Sequence, residues 1–198
     1  MKSTLTMDQW WDLVRREKDG EFGPDGLGPD VSWFAENWQT VRDLRLGKPV
    51  GLPVIYDQSV GLMALVRSAV GEANLGNIDS DITPERFLLK GTGVRNIKVR
   101  VEPHLDGETS EQAAKRLTAR GCVFGNTGDL AGFLHDHPEE VEKWGWVLAI
   151  SEDSRWTHQG VGYVGVPCVD VRGADRYFVL DDFRSQLNSD DGVLVLCE

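Results

Sequence analysis

Residues 109–121 read TSEQAAKRLTARG, and this stretch decides the fold class. Thr109 and Gln112 have the spacing of a capping box, in which each side chain bonds to the backbone N–H of the other residue. Apolar side chains at positions 113, 114 and 117 then share one helical face, and Gly121 is of the residue type that ends helices. The stretch therefore predicts a short helix that packs a narrow face against another element.

Strand patterns lie on both sides of this helix. Upstream, residues 97–102 alternate apolar and charged side chains, as half-buried strands do. Downstream come a second helical pattern, which Thr127 can cap, and an apolar run over residues 146–150. Three more strand candidates follow, at residues 161–171, 176–180 and 192–197. The order of elements predicts an α+β fold, with two helices packed on an antiparallel sheet.

The earlier part of the chain is predicted to be mainly helical. A capping-box spacing precedes a helical pattern over residues 8–18, and a second helix is predicted to start near Asp30 or Ser32. The strongest helical stripe of the chain covers residues 62–73, after a short extended segment over 53–56.

These patterns predict a helical N-terminal region over residues 1–78 and an α+β domain over residues 79–198. The connection at residues 74–84 is short and is not strongly linker-like, so one continuous domain is the alternative.

The composition is acidic. Lys and Arg total 21 against 32 Asp and Glu, which gives a formal net charge of -11, and residues 1–90 and 91–198 are both acidic. Phosphate backbones and anionic membranes need a basic surface, so we expect neither nucleic acid nor membrane as a partner. No apolar window is long enough to span a bilayer.

The three cysteines are Cys122, Cys168 and Cys197, and none forms a C-x-x-C pair. This argues against a zinc ribbon or a redox motif and favours free thiols in a reducing compartment. The N-terminus also lacks the apolar run of a secretory signal peptide. We therefore expect a cytoplasmic protein.

The run over 109–121, followed by residues 127–134 and by Trp144-Gly145-Trp146, resembles a C-type-lectin-like domain over about residues 79–198. The resemblance implies two helices, a Trp-rich strand, and first and last strands able to pair. It departs from the family because Cys122 follows the helix instead of lying in it, so a disulfide to Cys197 is not implied. The Glu-Pro-Asn, Gln-Pro-Asp and Trp-Asn-Asp triplets of calcium-dependent members are absent.

The same stretch, with residues 81–87 upstream, is also similar to uncharacterised bacterial proteins of this size, which implies a bacterial source. The scaffold further resembles that of formylglycine-generating oxidases, in which two cysteines bind copper. Cys168 and Cys197 are the late pair that this second resemblance points to.

Residues 135–137 invite a metal hypothesis. If the chain were extended there, His135 and His137 would point the same way and could share a zinc ion, with His104 or Glu140 completing the set. On a helix, side chains two residues apart diverge. An exposed helix end is therefore the alternative that we prefer.

Polar and aromatic residues of the late loops form the predicted binding site. Its residues are Arg155, Trp156, His158, Asp181, Asp182, Asn188 and Asp190. Carboxylate and amide oxygens there also suit calcium, although no calcium-loop spacing is present. Trp156 is expected to be the exposed ring, because exposed Trp side chains commonly anchor partners.

We conclude that the sequence favours a non-catalytic module that binds a protein or small ligand through loops 151–160 and 181–191. The alternative is a metal-dependent enzyme that uses His135 and His137 or the late cysteines. No cofactor is expected in the preferred reading, and zinc or calcium belongs to the alternative. The oligomeric state is not predicted.

Overall fold

The computed structural model describes residues 51–158, 160 and 162–197. Residues 51–198 form one compact unit. The helices predicted over residues 8–18 and from Asp30 or Ser32 lie outside the described residues. The extended segment predicted over residues 53–56 is confirmed as part of the first strand.

Four α-helices and eight strands are found among the described residues. The helices are α1 (Leu62–Val70), α2 (Ser110–Ala119), α3 (Thr127–Asp136) and α4 (Pro138–Val141). The strands are β1 (Leu52–Asp57), β2 (Val94–Pro103), β3 (Val123–Phe124), β4 (Val147–Leu148), β5 (Trp156–Thr157), β6 (Val164–Arg172), β7 (Asp175–Asp182) and β8 (Gly192–Cys197). Short 3₁₀ helices lie at Gln58–Val60, Glu72–Asn77 and Glu152–Ser154.

All eight strands belong to one sheet, in the order β1-β2-β8-β4-β6, with β7 on the other edge of β6. The short strand β3 extends the edge of β8 beyond β4, and β5 pairs with β6. β2 and β8 pair antiparallel, with Lys98 opposite Cys197 and Pro103 opposite Gly192.

The predicted α+β class is therefore confirmed. The prediction that the sheet is antiparallel is wrong for one pair of strands. β4 runs parallel to β8, although the other pairs are antiparallel. The reason is that β3 and β4 share one edge of β8, and helices α3 and α4 reverse the chain between them.

Buried side chains form two clusters on opposite faces of this sheet. Leu194 belongs to the first cluster, which α1 and α3 cover, and its neighbours Val193 and Val195 belong to the second, which α2 covers. Because β8 is buried on both faces, its sequence is a continuous apolar run without the alternation of a half-buried strand.

Strand β1 and helix α1 lie before the domain boundary that the sequence predicts at residue 78. β1 is part of the sheet, and side chains of both elements belong to the first cluster. Val54 and Val66 are fully buried there together with Leu130 and Phe133 of α3. None of the helices in the described part of the chain has the length and hydropathy needed to cross a membrane.

The capping box predicted at Thr109 is confirmed. The Thr109 hydroxyl accepts a hydrogen bond from the N–H of Gln112, and the Gln112 side chain accepts one from the N–H of Thr109. The cap predicted at Thr127 is wrong, because α3 is capped one residue earlier. The Asn126 side chain accepts from the N–H of Asp129, whose carboxylate accepts from the N–H of Asn126.

Candidate functional site

A polar cleft lies at the end of the sheet where β6 ends and where β4 and β8 begin. Its walls include Trp144, Trp146, Arg172, Asn188 and Asp190, and its volume is about 520 Å³. We call this feature the polar cleft. It contains two of the predicted binding residues, Asn188 and Asp190.

Asp191 holds the two sides of the polar cleft together. Its side chain accepts hydrogen bonds from the N–H of Trp146 and from the N–H of Asn188, each at 2.9 Å, and only 4% of the residue is exposed. The N–H of Gly145 donates to the carbonyl of Asp190 at 2.8 Å. A Cβ at position 145 would lie 2.6 Å from the Asp191 carboxylate, so only glycine permits this close approach.

The two tryptophan rings give the polar cleft aromatic walls. Both are half-buried, and the Arg172 guanidinium carbon lies 5.6 Å from the centre of the Trp146 ring. Arg172 is also paired with the buried Asp170. The walls thus carry three carboxylates (Asp170, Asp190 and Asp191) and one guanidinium, so the cleft is acidic.

Several polar side chains of the cleft point to solvent. Gln186, Asn188 and Asp190 are exposed, and within the described part of the chain their side chains make no hydrogen bond to protein. The Asp191 contact and the Gly145 bond hold the backbones of Asn188 and Asp190, and Gln186 forms an isolated bridge with Thr109. These groups are therefore positioned to bind a polar ligand. The polar groups that line the cleft are carboxylates, side-chain amides and one guanidinium.

The other predicted binding residues lie elsewhere. Asp182 is opposite Gly165 on β6, and Trp156 pairs with the same Gly165. The polar cleft meets β6 at its other end, near Arg172, which is about 20 Å away at the rise of an extended strand. The structure therefore divides the predicted site into two groups at opposite ends of β6.

In the second group, at the start of β6, Arg155 and Trp156 pack against neighbouring side chains and backbone. The Arg155 guanidinium donates to the carbonyl of Ile150 at 2.9 and 3.1 Å and lies 4.3 Å from the centre of the Phe183 ring. Trp156 is half-buried, so the expectation that it is the exposed ring is not met. Its ring lies under the Arg86 guanidinium at 4.0 Å and 5.2 Å from the His158 ring.

The two acidic residues of that group are only partly exposed. One carboxylate oxygen of Asp181 is buried and has no hydrogen-bond partner in the described structure, and burial raises the pKa of this residue. The Asp182 carboxylate accepts from the N–H of Arg184 at 3.0 Å. Burial and the nearby Asp181 charge raise the pKa of Tyr163 to about 12.

The imidazole rings of His135 and His137 contact backbone carbonyl groups of this chain. His135 lies in the last turn of α3, with Nδ1 3.3 Å from the carbonyl of Ser68. His137 follows the helix and donates from Nε2 to the carbonyl of Pro53 at 2.6 Å. In the described residues, no three His, Cys, Asp or Glu side chains are grouped so that they could hold a metal ion.

Cys168 and Cys197 differ in their burial and in their contacts. Cys168 is 1% exposed in the second cluster, with its sulfur 3.6 Å from the carbonyl of Val179. Cys197 is partly exposed and lies beside Arg100.

Sequence reasoning missed Asp170, Arg172 and Gln186 as walls of the polar cleft, and it noted Trp144 and Trp146 without assigning them to a site. One signal was present. Asp170 interrupts an otherwise apolar strand and Arg172 follows it two residues later, so a charged pair on one face of β6 could have been inferred.

A buried histidine lies behind the polar cleft. His104 is 1% exposed, its Nε2 lies 3.5 Å from the hydroxyl of the fully buried Ser110, and its Nδ1 has no partner in the described structure. Neither side chain of this pair reaches solvent. Burial lowers the pKa of His104 in the folded protein.

His104 should make stability depend on pH. Since its pKa is lower in the folded than in the unfolded protein, its contribution is complete above about pH 6.5 and is lost as the pH falls, by at most about 1.4 kcal/mol per pH unit. Urea unfolding between pH 7 and pH 5 should show this slope in the wild type and a smaller one in His104→Leu. His135→Leu, at an exposed histidine, is the control, and parallel curves for wild type and His104→Leu would refute the role of His104.

Comparisons with protein-family models, with curated proteins and with solved structures found no match to this chain.

Proposed function

We propose that this protein is a non-catalytic binding module, and that its polar cleft binds a basic segment of a partner protein. The observation that carries the proposal is the set of exposed, unpaired polar side chains of Gln186, Asn188 and Asp190. They stand beside two tryptophan rings on a loop that Asp191 holds in place. Such a preformed polar surface needs little reorganisation on binding.

Charge favours a basic partner over an acidic or neutral one. The chain carries a net charge of -11, and the polar cleft has three carboxylates against one guanidinium. A lysine or arginine of the partner can pair with Asp190 and lie against the face of Trp144. The field of the acidic chain also speeds the approach of a basic segment, an effect that salt weakens.

The test is an NMR titration of the full chain with three peptide pools, one rich in Lys and Arg, one rich in Asp and Glu, and one rich in Ser and Asn. The indole N–H signals of Trp144 and Trp146, assigned with the Trp→Phe variants, report on the polar cleft. We expect the basic pool to shift these signals, and the shift to weaken at higher salt. The acidic pool should leave them unchanged.

Variants then identify the binding residues. Asp190→Asn should weaken binding of the basic pool by at least about tenfold, since a charge-assisted pair contributes about 1.5–3 kcal/mol and each 1.4 kcal/mol is about a factor of ten in affinity. Asp153→Asn, at an acidic position of loop 151–160 that lies outside the polar cleft, is the matched control. Equal losses for both variants, or shifts confined to residues outside the polar cleft, would contradict the proposal.

The lectin-like topology belongs to this proposal as well. Its support is the chain order of β2, α2, α3 and the later strands, together with the antiparallel pairing of β2 with β8. A cytoplasmic location is supported by Cys122, Cys168 and Cys197, which are all free thiols. No observation on the described residues favours a metal-dependent enzyme.

A further inference from the structure

Cys122 immediately precedes β3, and Cys197 is the last residue of the neighbouring strand β8. β3 and β8 pair antiparallel, with Val123 opposite Leu196 and Phe124 opposite Val195, so the same register places Cys122 opposite Cys197. Cross-strand partners point to the same face of a sheet. The two thiols therefore lie side by side, although they are 75 positions apart in the sequence.

The hydrogen bonds of the two strands show which kind of pair this is. The N–H of Gly125 donates to the carbonyl of Leu194, which makes that pair a hydrogen-bonded one. Such pairs alternate with non-hydrogen-bonded pairs along an antiparallel ladder, so Cys122 and Cys197 form a non-hydrogen-bonded pair. The Cα atoms of these pairs are about 4.5 Å apart, within the range of disulfides.

One guanidinium contacts both sulfurs. Arg100 directs Nη1 toward the sulfur of Cys197 at 3.4 Å and Nη2 toward the sulfur of Cys122 at 3.7 Å. Its Nε donates to Glu102 at 2.7 Å, which fixes the orientation of the fork. The shared contact therefore places the two sulfurs beside one and the same side chain.

The pair is also accessible. Both cysteines are partly exposed, whereas Cys168 is buried and burial raises the pKa of its thiol well above the ordinary value. Gly51 lies next to Cys197, and a Cβ there would come within 2.7 Å of the sulfur. The absence of a side chain at position 51 therefore leaves room at this thiol.

From this geometry we propose that Cys122 and Cys197 are a redox modification site, which a low-molecular-weight disulfide converts into a reversible Cys122–Cys197 bond. The thiolate of Cys197 attacks the small disulfide, forms a mixed disulfide and releases one thiolate, which takes up a proton. Cys122 loses its proton to solvent, attacks the sulfur of Cys197 and displaces the second thiolate. The two cysteines give up two electrons, and the small disulfide is reduced to two thiols.

The consequence is a covalent link between β3 and the last strand. It closes a loop that contains α3, α4 and strands β4 to β7, and so includes the polar cleft. A link over so long a loop restricts the unfolded chain and stabilises the oxidised protein. The proposal does not depend on what the polar cleft binds.

The experiment treats the reduced full chain with oxidised glutathione and counts thiols by alkylation and intact mass. Before treatment Cys122 and Cys197 should react in the native state and Cys168 should not. After treatment the protein should lose two hydrogen atoms and both reactive thiols, and a digest should contain a cross-linked peptide pair with positions 122 and 197. The Tm should rise by about 5–10 °C and return on reduction.

Variants separate this result from simple glutathione addition. Cys122→Ser and Cys197→Ser should each stop at a mixed disulfide without a rise in Tm, and Cys168→Ser should behave as the wild type. Arg100→Met should slow formation of the bond, because it removes the guanidinium that contacts both sulfurs. Stable glutathione adducts on both cysteines of the wild type, a cross-link that includes Cys168, or a cross-link only between two chains would overturn the proposal.

Discussion

Replacing Asp129 with alanine should lower the free energy of unfolding by about 4 kcal/mol, among the largest effects of a single substitution in this protein. The Asp129 side chain is only 1% exposed. It accepts hydrogen bonds from the Tyr56 hydroxyl at 2.8 Å, from Arg95 Nε at 2.7 Å and Nη2 at 3.2 Å, and from the N–H of Asn126 at 2.9 Å. The carboxylate thus joins β1, β2 and the start of α3.

The size of the effect follows from what the alanine leaves behind. The buried Tyr56 hydroxyl loses its partner, at a cost of about 1–3 kcal/mol, and α3 loses half of its capping box, at a cost of about 1 kcal/mol. Arg95 also loses the only acidic group with which it pairs in the described structure. Burial and the neighbouring Asp129 raise the pKa of Tyr56, so the phenol stays protonated and cannot replace the lost charge.

Urea unfolding of Asp129→Ala, with the exposed Glu142→Ala as control, measures this effect. Arg95→Met and the double variant complete a cycle, and the double variant should be less destabilised than the sum of the single variants by about 1–3 kcal/mol. Additive losses would show that Arg95 and Asp129 act separately. A loss in Asp129→Ala no larger than that in Glu142→Ala would refute the structural role of the carboxylate.

Asp129 shows why only part of this fold could be predicted. The segments with strong local signals were predicted correctly, such as the capped helix α2 and the alternating strand β2, because their patterns lie within a dozen residues. The partners of Asp129, by contrast, are 73 and 34 positions away in the sequence. A local sequence pattern contains no information on contacts over such distances in the chain. The apolar spacing in α3 therefore predicts a packed helix but does not predict that Asp129 is buried.

The same reasoning applies to the sheet. The apolar run over residues 146–150 predicts the short strand β4. Its parallel pairing with β8 depends on how α3 and α4 reverse the chain, and helical periodicity does not predict that reversal. Helix α1 gave the strongest helical signal, yet the stripe could not show that it packs beside α3 on this sheet.

Only two of the predicted site residues line the polar cleft, for a related reason. Loops 151–160 and 181–191 were grouped because both connect late strands, and the polar loop residues Asn188 and Asp190 do line a cleft. The grouping failed because β6 is nine residues long and separates the two ends of the sheet. Trp144 and Trp146 enter the polar cleft through the Asp191 hydrogen bonds, which link residues 45 positions apart.

Replacing Gly132 with valine should also be strongly destabilising, by about 3 kcal/mol or more. A Cβ at position 132 would lie 2.7 Å from Cγ1 of Val54 and 2.9 Å from Cδ1 of Tyr56, and position 128 meets the same tyrosine at 3.0 Å. The two glycines are one helical turn apart, so they form a flat face on which α3 rests against β1.

Helix propensity opposes this effect, because glycine is about 1 kcal/mol worse than alanine inside a helix. The steric term is larger here. Val54 is fully buried, and the Tyr56 ring is anchored by its hydrogen bond to Asp129, so neither neighbour can move away cheaply. Local preference alone would predict that Gly132→Ala stabilises the protein, whereas the packing predicts that it destabilises it.

Thermal and urea unfolding of Gly132→Ala and Gly132→Val show whether helix propensity or steric packing dominates at this position. Gly76→Ala is the matched control, because position 76 lies in a 3₁₀ helix and a Cβ there meets no atom within 4 Å. We expect little change in Gly76→Ala, a clear loss in Gly132→Ala and a larger loss in Gly132→Val. A Gly132→Ala protein more stable than the wild type would mean that α3 can move off β1. In that case the Tyr56–Asp129 bond would not fix the distance between α3 and β1, and the loss expected for Asp129→Ala would shrink with it.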